Sequence, residues 1–98
     1  MTAIYQSRTK IWLGTILLGV GLLGHLLAAH AMGGSHLAYI HHVLGFLLIL
    51  LVSGAIVGGL ARRFWRGRGD ITILIVGAIQ ALLGIAVLYS ASSRLTSA

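Results

Sequence analysis

Long apolar runs and short polar connections alternate along this chain. The apolar runs cover residues 11–31, 37–61 and 71–89, and none of them carries a formal charge. Each is about as long as the ~20 residues that an α-helix needs to cross the hydrocarbon core of a bilayer. The pattern predicts an all-α integral membrane protein, with three transmembrane helices in up-down-up order and a single membrane domain over residues 1–98.

The connections predict the path between these helices. Residues 32–36 contain two glycines and no charge, and so short a connection requires an antiparallel hairpin. Residues 62–70 form a basic loop that ends at Asp70, which we expect to cap the third helix. Tyr5 and Trp12 bracket the polar N-terminal segment, as is typical of aromatic residues at a headgroup boundary.

The basic residues predict an orientation in the membrane. In the up-down-up arrangement, six of the seven Lys and Arg residues lie on one side of the membrane, and Arg94 lies on the other. The six are Arg8, Lys10, Arg62, Arg63, Arg66 and Arg68. By the positive-inside rule the N-terminus is cytoplasmic and the C-terminus outside, in the cell (inner) membrane. We expect no secretory signal peptide, because the first apolar run exceeds the roughly 7–15 residues of such signals and contains a histidine.

Composition supports the membrane assignment and excludes several kinds of chemistry. Hydrophobic residues make up 58% and charged residues 8% of the chain, too few polar side chains to cover a soluble core. The absence of cysteine excludes disulfides, thiolate metal sites and covalent heme attachment. Asp70 is the only acidic residue, which excludes catalysis by carboxylate pairs within this chain. The basic clusters at the ends of the apolar runs indicate membrane topology, and we expect no nucleic-acid binding.

Small residues recur at helical spacing and predict packing faces. These are Gly14, Gly21 and Ala28 in the first run, Gly54 and Gly58 in the second, and Gly77, Ala81 and Gly84, with Gln80 on the same side, in the third. Three helices alone do not require so many small-residue faces. We therefore expect some of them to contact other membrane subunits, a second copy of the chain, or a flat cofactor.

All the histidines lie in one stretch, residues 25–42, around the first turn. They are His25, His30, His36, His41 and His42. An imidazole inside the membrane needs a polar partner, and it is the commonest side-chain metal ligand. His25 and His30 point in different directions on their helix, and His41 and His42 lie about 100° apart on theirs. At most His25 and one of His41 or His42 can therefore share a site.

This geometry favours a b-type heme between helices one and two. Its iron would be bound by His41 and His25, which can lie at similar depth, and His42 and His30 are further candidates for cofactor contact. The alternatives are interhelical hydrogen bonding by His25 and His41, an interfacial position for His30, His36 and His42, and a chlorophyll-type pigment or no cofactor at all. No nucleophile-and-base set is visible, so we expect no catalytic residues and no enzyme activity of the chain on its own.

Two motifs resemble one half of the heme A synthase family. Residues 39–50 read YIHHVLGFLLIL, and residues 80–88, after the basic loop, read QALLGIAVL. In that family a helix that begins outside with His-Arg-x-x-Ala/Gly is followed by a basic inner loop and a helix with Gln-x-Leu-Leu-Gly. The resemblance covers residues 39–89 and implies that His41 is a heme ligand and that His42 takes the place of the usual Arg. The family repeat has a fourth helix with the second axial histidine. Here that ligand would come from His25 or from another subunit, and Leu37 and Ala38 occupy the region of the family's acidic residue.

Two functions follow from these observations. The first is a small heme-binding membrane subunit that serves electron transfer near the outer face of the membrane. The second is a non-catalytic structural or assembly subunit of a respiratory or photosynthetic membrane complex, in contact with pigment, quinone or lipid. A transporter or channel is disfavoured, because the apolar runs contain neither a carboxylate nor a proline that would break a helix.

Overall fold

The computed structural model describes residues 7–33, 36–66 and 68–96, with side chains through residue 93. Its helices are α1 (Arg8–Ala31), α2 (His36–Phe64) and α3 (Gly69–Thr96). All three are long and apolar enough to cross a membrane, which confirms the predicted helices over the described residues and supports a multi-pass membrane protein. Tyr5, Gly34 and the side chain of Arg94 lie outside the described residues.

The helices extend beyond the apolar runs that predicted them. α1 begins after Ser7, whose hydroxyl accepts a hydrogen bond from the Lys10 backbone N–H at 3.4 Å. α2 continues to Phe64, so Arg62 and Arg63 lie in its last turn, near the negative end of the helix dipole. The connection between α2 and α3 is therefore shorter than the predicted loop of residues 62–70.

A glycine ends α1 and lets the chain turn back. The Met32 N–H donates to the Ala28 carbonyl at 3.0 Å, and the Gly33 N–H donates to the His30 carbonyl at 3.3 Å. Gly33 has a φ of 114°, in a region that side chains disfavour and that glycine enters freely. The first turn therefore depends on glycine at this position.

α1 packs most closely against α3, and their backbones touch at glycines. A Cβ atom on Gly14 would lie 2.6 Å from the carbonyl carbon of Ile73, and a Cβ atom on Gly77 would collide with the carbonyl oxygen of Gly14. Gly21 and Gly84 repeat this contact further along the helices. The residue numbers of the contacting pairs increase together along both helices, so α1 and α3 run parallel. α2 connects the end of α1 to the start of α3 and runs antiparallel to both.

The register of the two helices follows from a shared interval of seven residues. The small or polar residues at this interval are Ser7, Gly14, Gly21 and Ala28 on α1, and Asp70, Gly77, Gly84 and Ala91 on α3. A seven-residue repeat keeps one face of each helix toward its partner in a left-handed pair. We call this contact the glycine seam. It confirms the predicted packing faces of helices one and three, where close backbone approach replaces the hydrophobic effect as the attraction in lipid.

Asp70 closes the glycine seam where α1 and α3 begin. The Arg68 carbonyl accepts the Thr72 N–H at 3.3 Å, so Arg68 holds the cap position of α3, and the prediction that Asp70 caps this helix is wrong by two residues. The fully buried Asp70 carboxylate instead accepts the Ser7 backbone N–H at 2.8 Å and two bonds, at 2.9 and 2.6 Å, from the Arg68 guanidinium. It thereby joins the starts of two helices and pairs an N–H group left open at the start of α1.

α2 lies more loosely against this pair. Only 11% of its apolar span is buried, against 28% in each of α1 and α3. A Cβ atom on Gly54 or Gly58, its GxxxG residues, would meet nothing within 4 Å, and Gly54 lines a cavity of about 640 Å³ between the three helices. The predicted packing face of helix two therefore makes no close backbone contact within the described residues.

The glycine seam predicts that adding one methyl group destabilises the protein on α1 and does not destabilise it on α2. Gly21→Ala should lower the free energy of unfolding by about 1–3 kcal/mol, because its Cβ would collide with the backbone of Gln80. Gly54→Ala is the matched control and should be neutral or stabilising by up to ~1 kcal/mol, because it adds the same group in open space. SDS titration in mixed micelles, followed by tryptophan fluorescence, measures both. Equal shifts for the two variants would contradict the seam.

Candidate functional site

His25 is a buried polar residue in the apolar part of the bundle. It follows Gly21 by one helical turn, so the glycine seam turns it toward the interior, and its exposed fraction is 4%. Neither ring nitrogen has a hydrogen-bond partner among the residues that the structure describes. An unpaired buried polar group costs roughly 1–3 kcal/mol, so a ligand, water or partner group that bonds to His25 would be stabilising.

Two residues of α2 contact the His25 ring. The His42 ring centroid lies 6.0 Å from that of His25, with the planes tilted by 56°, and the Phe46 ring packs edge-on at 5.6 Å. His42 and Phe46 are four residues apart and so share one face of α2. His25 precedes the end of α1 by as many residues as His42 follows the start of α2, which places both about 9 Å from those helix ends.

α3 contributes Gln80 to the same region. Its side chain is fully buried, and its Nε2 donates to the Phe46 carbonyl oxygen at 3.4 Å, while its Oε1 has no partner. Gln80 also packs against Gly21, one turn before His25. Each helix therefore provides one polar side chain around Phe46. We call His25, His42, Phe46 and Gln80 the His25 cluster.

The other histidines lie outside this cluster. His30, His36 and His41 are exposed, and the His30 Nδ1 lies 3.3 Å from the Tyr39 hydroxyl across the hairpin. Of the two candidates on α2, the structure brings His42 against His25 and leaves His41 exposed. Iron ligation by His41 stays a prediction.

His42 also borders a cavity near the ends of α1 and α3. The cavity measures about 190 Å³, and its other lining residues are Met32, Val87, Ser90 and Ala91. Pockets for drug-sized ligands measure roughly 300–1,000 Å³. A large planar ligand at His25 would therefore require α2 to move away from the α1–α3 pair, and α2 is the least buried helix.

The His25–His42 spacing is suited to binding one metal ion from two sides. Bonds between a metal and an imidazole nitrogen are about 2 Å long, so two imidazoles on opposite sides of one ion have ring centroids about 6 Å apart. Within residues 7–33, 36–66 and 68–96, no group of three or more His, Asp or Glu residues could hold a metal ion. The remaining ligands would have to come from a macrocycle or another molecule. Two imidazoles are the donor set of a two-histidine heme, and admitting the macrocycle would require α2 to shift while keeping His42 near His25.

Comparison with known proteins gives no relative. No model of a known family matches the chain, and no curated protein or solved structure is significantly similar to it. The resemblance to the heme A synthase family therefore stays a prediction, and the argument for function rests on the His25 cluster.

Proposed function

We propose that this protein is a small membrane subunit that binds a b-type heme between α1 and α2, with His25 and His42 as axial ligands, and that it serves electron transfer. The observation that carries the proposal is the buried, unpaired His25 ring, which faces a second imidazole at a spacing suited to ligation. When bound, a heme supplies one-electron chemistry whose potential depends on its axial ligands. From the basic residues we further propose that the N-terminus is cytoplasmic, which would place the cluster in the outer half of the membrane.

Gln80 would orient the ligand in this proposal. A metal-binding histidine usually donates its second ring N–H to a nearby acceptor, which fixes the tautomer and the direction of the ring. The Gln80 Oε1 is a buried acceptor without a partner, on the helix that packs against Gly21. The two groups are not bonded to each other in this structure, and Gln80 would have to turn to accept the remaining ring N–H of His25 when heme is bound.

A heme test separates the candidate histidines. The protein, purified in mild detergent and loaded with heme, should show the absorbance spectrum of a low-spin, two-histidine b-type heme. His25→Ala and His42→Ala should abolish that spectrum, because each removes an axial ligand. His41→Ala, at the adjacent exposed position, should retain it, and Gln80→Leu should weaken heme binding by roughly tenfold.

Two results would contradict the heme proposal in different ways. A wild-type protein without a Soret band after heme loading would end it. A spectrum lost in His41→Ala and kept in His42→Ala would instead move the site to His41, as the family resemblance implies. Circular dichroism of each variant should show unchanged helix content, because the histidine substitutions leave the glycine seam intact.

A structural role within a membrane assembly is the second proposal, supported by the low burial of α2. A Cβ atom on Gly58 would meet nothing within 4 Å, so a helix of another chain could approach α2 closely there. A subunit that packs against others through α2 would keep this position free until assembly. This role is compatible with heme binding, since the His25 cluster lies nearer the other end of α2.

If α2 mediates assembly, a bulky residue on its surface should reduce the size of the complex and leave the fold of the chain unchanged. Gly58→Leu should shift the protein from its native complex to a smaller species on native electrophoresis of mild-detergent extracts. Gly19→Leu is the control, because Gly19 lies on α1 and a Cβ atom there also meets nothing within 4 Å. A complex of unchanged size in Gly58→Leu would contradict the assembly role of this face.

A further inference from the structure

The end of the bundle where α1 and α3 begin and α2 ends has an unbalanced positive charge. We call it the basic end. Its cationic residues are Arg8, Lys10, Arg62, Arg63, Arg66 and Arg68. The chain has one acidic residue, Asp70, and its buried carboxylate is already bonded to Arg68 and to the Ser7 N–H. The anionic counter-charge for the other cations must therefore come from another molecule.

A recess at the basic end combines cationic and apolar walls. It measures about 240 Å³ and is lined by Phe64, Trp65, Arg66, Arg68 and Ile71. It lies between the last residue of α2 and the first turn of α3, where two apolar spans end. Lipid headgroups meet hydrocarbon at this level of a membrane, and aromatic and basic residues concentrate there.

Arg66 holds an unusual backbone conformation in this recess. Its φ of 51° lies in the left-handed region, which a residue with a Cβ atom adopts at a cost in free energy and which glycine or asparagine adopts more readily. The neighbouring connection is fixed by bonds from the Trp65 N–H to the Ala61 carbonyl at 2.7 Å and from the Arg68 N–H to the Trp65 carbonyl at 3.2 Å. A left-handed residue is common just after a helix end, and here it fixes the position of Arg66 at the end of α2.

We infer that this recess binds the phosphate headgroup of an anionic phospholipid. Arg66 supplies the uncompensated charge, since the charge of Arg68 is balanced by Asp70. A guanidinium matches the oxygen geometry of a phosphate better than an ammonium does. Phe64, Trp65 and Ile71 form the apolar walls for the glycerol and the start of the acyl chains. Free phosphate has no apolar part to pack against these side chains, whereas a phospholipid does. The site is therefore assigned to a lipid. The inference is independent of heme binding.

Trp65 provides a direct probe of this site. The chain contains two tryptophans, so Trp12→Phe leaves Trp65 as the only one. This protein is reconstituted in phosphatidylcholine vesicles that contain increasing fractions of phosphatidylglycerol with brominated acyl chains, which quench tryptophan fluorescence. A lipid site at Trp65 should give more quenching than the bilayer fraction of the brominated lipid predicts. Brominated phosphatidylcholine should give none of this excess.

Two variants with the same change of charge test the role of Arg66. Arg66→Asn removes the guanidinium and tolerates the left-handed backbone, and it should weaken the preference for phosphatidylglycerol about tenfold. This factor corresponds to ~1.4 kcal/mol, close to the lower end of the range for a hydrogen bond to a charged group. Arg62→Gln removes an exposed charge at the same end outside the recess, and it should leave the preference nearly unchanged.

Three results would overturn the inference. Equal quenching of the parent protein by the two brominated lipids would exclude a site for anionic lipid, whatever the variants do. Equal loss in Arg62→Gln and Arg66→Asn would reduce the effect to diffuse surface attraction. Displacement of the brominated lipid by inorganic phosphate would assign the recess to free anions rather than to a phospholipid.

Discussion

Backbone contact between α1 and α3 is the constraint on which the rest of the structure depends. Gly14 and Gly21 leave no room for a Cβ atom against α3, so the two helices can approach in few registers other than the observed one. That register sets Gln80 against Gly21 and turns His25, one turn later, into the interior. The position of the buried imidazole is therefore a consequence of glycines that carry no chemistry. In lipid, where water does not drive helices together, such close approach is the main source of association.

The second helix, α2, has a different part in the structure. α2 closes the His25 cluster through His42 and Phe46 near its start, exposes its glycines further along, and brings its arginines to the basic end. It is thus the element that a ligand can displace and that a partner can reach. The two ends of the bundle differ in consequence. One holds aromatic rings around buried nitrogens without hydrogen-bond partners among the described residues, and the other holds cations whose counter-charge the chain does not supply.

Sequence reasoning predicted what depends on local pattern. The apolar runs predicted the three helices, and the glycine intervals predicted the packing faces of α1 and α3. It assigned the heme iron to His41 and His25, whereas the structure sets His42 against His25 and leaves His41 exposed, because α2 is apolar on all sides and periodicity cannot fix its rotation. It did not find the bond from the Ser7 N–H to Asp70, whose partners are 63 residues apart and meet only once the register is set. One signal was available, since the interval of seven occurs in both helices and aligns Ser7 with Asp70 and Gly21 with Gly84.

Disulfide cross-linking in native membranes tests the central claim, the parallel register of α1 and α3, most directly. The chain has no cysteine, so any intramolecular disulfide must form between the two introduced cysteines. The interval of seven extends the glycine seam to Ala28 and Ala91, which are both buried. Ala28→Cys with Ala91→Cys should cross-link rapidly under mild oxidation, since the close backbones bring the Cα atoms within the roughly 4.4–6.8 Å that a disulfide requires. Ala28→Cys with Tyr89→Cys, at an exposed position two residues away, should not. A cross-link in the second pair and none in the first would contradict the account.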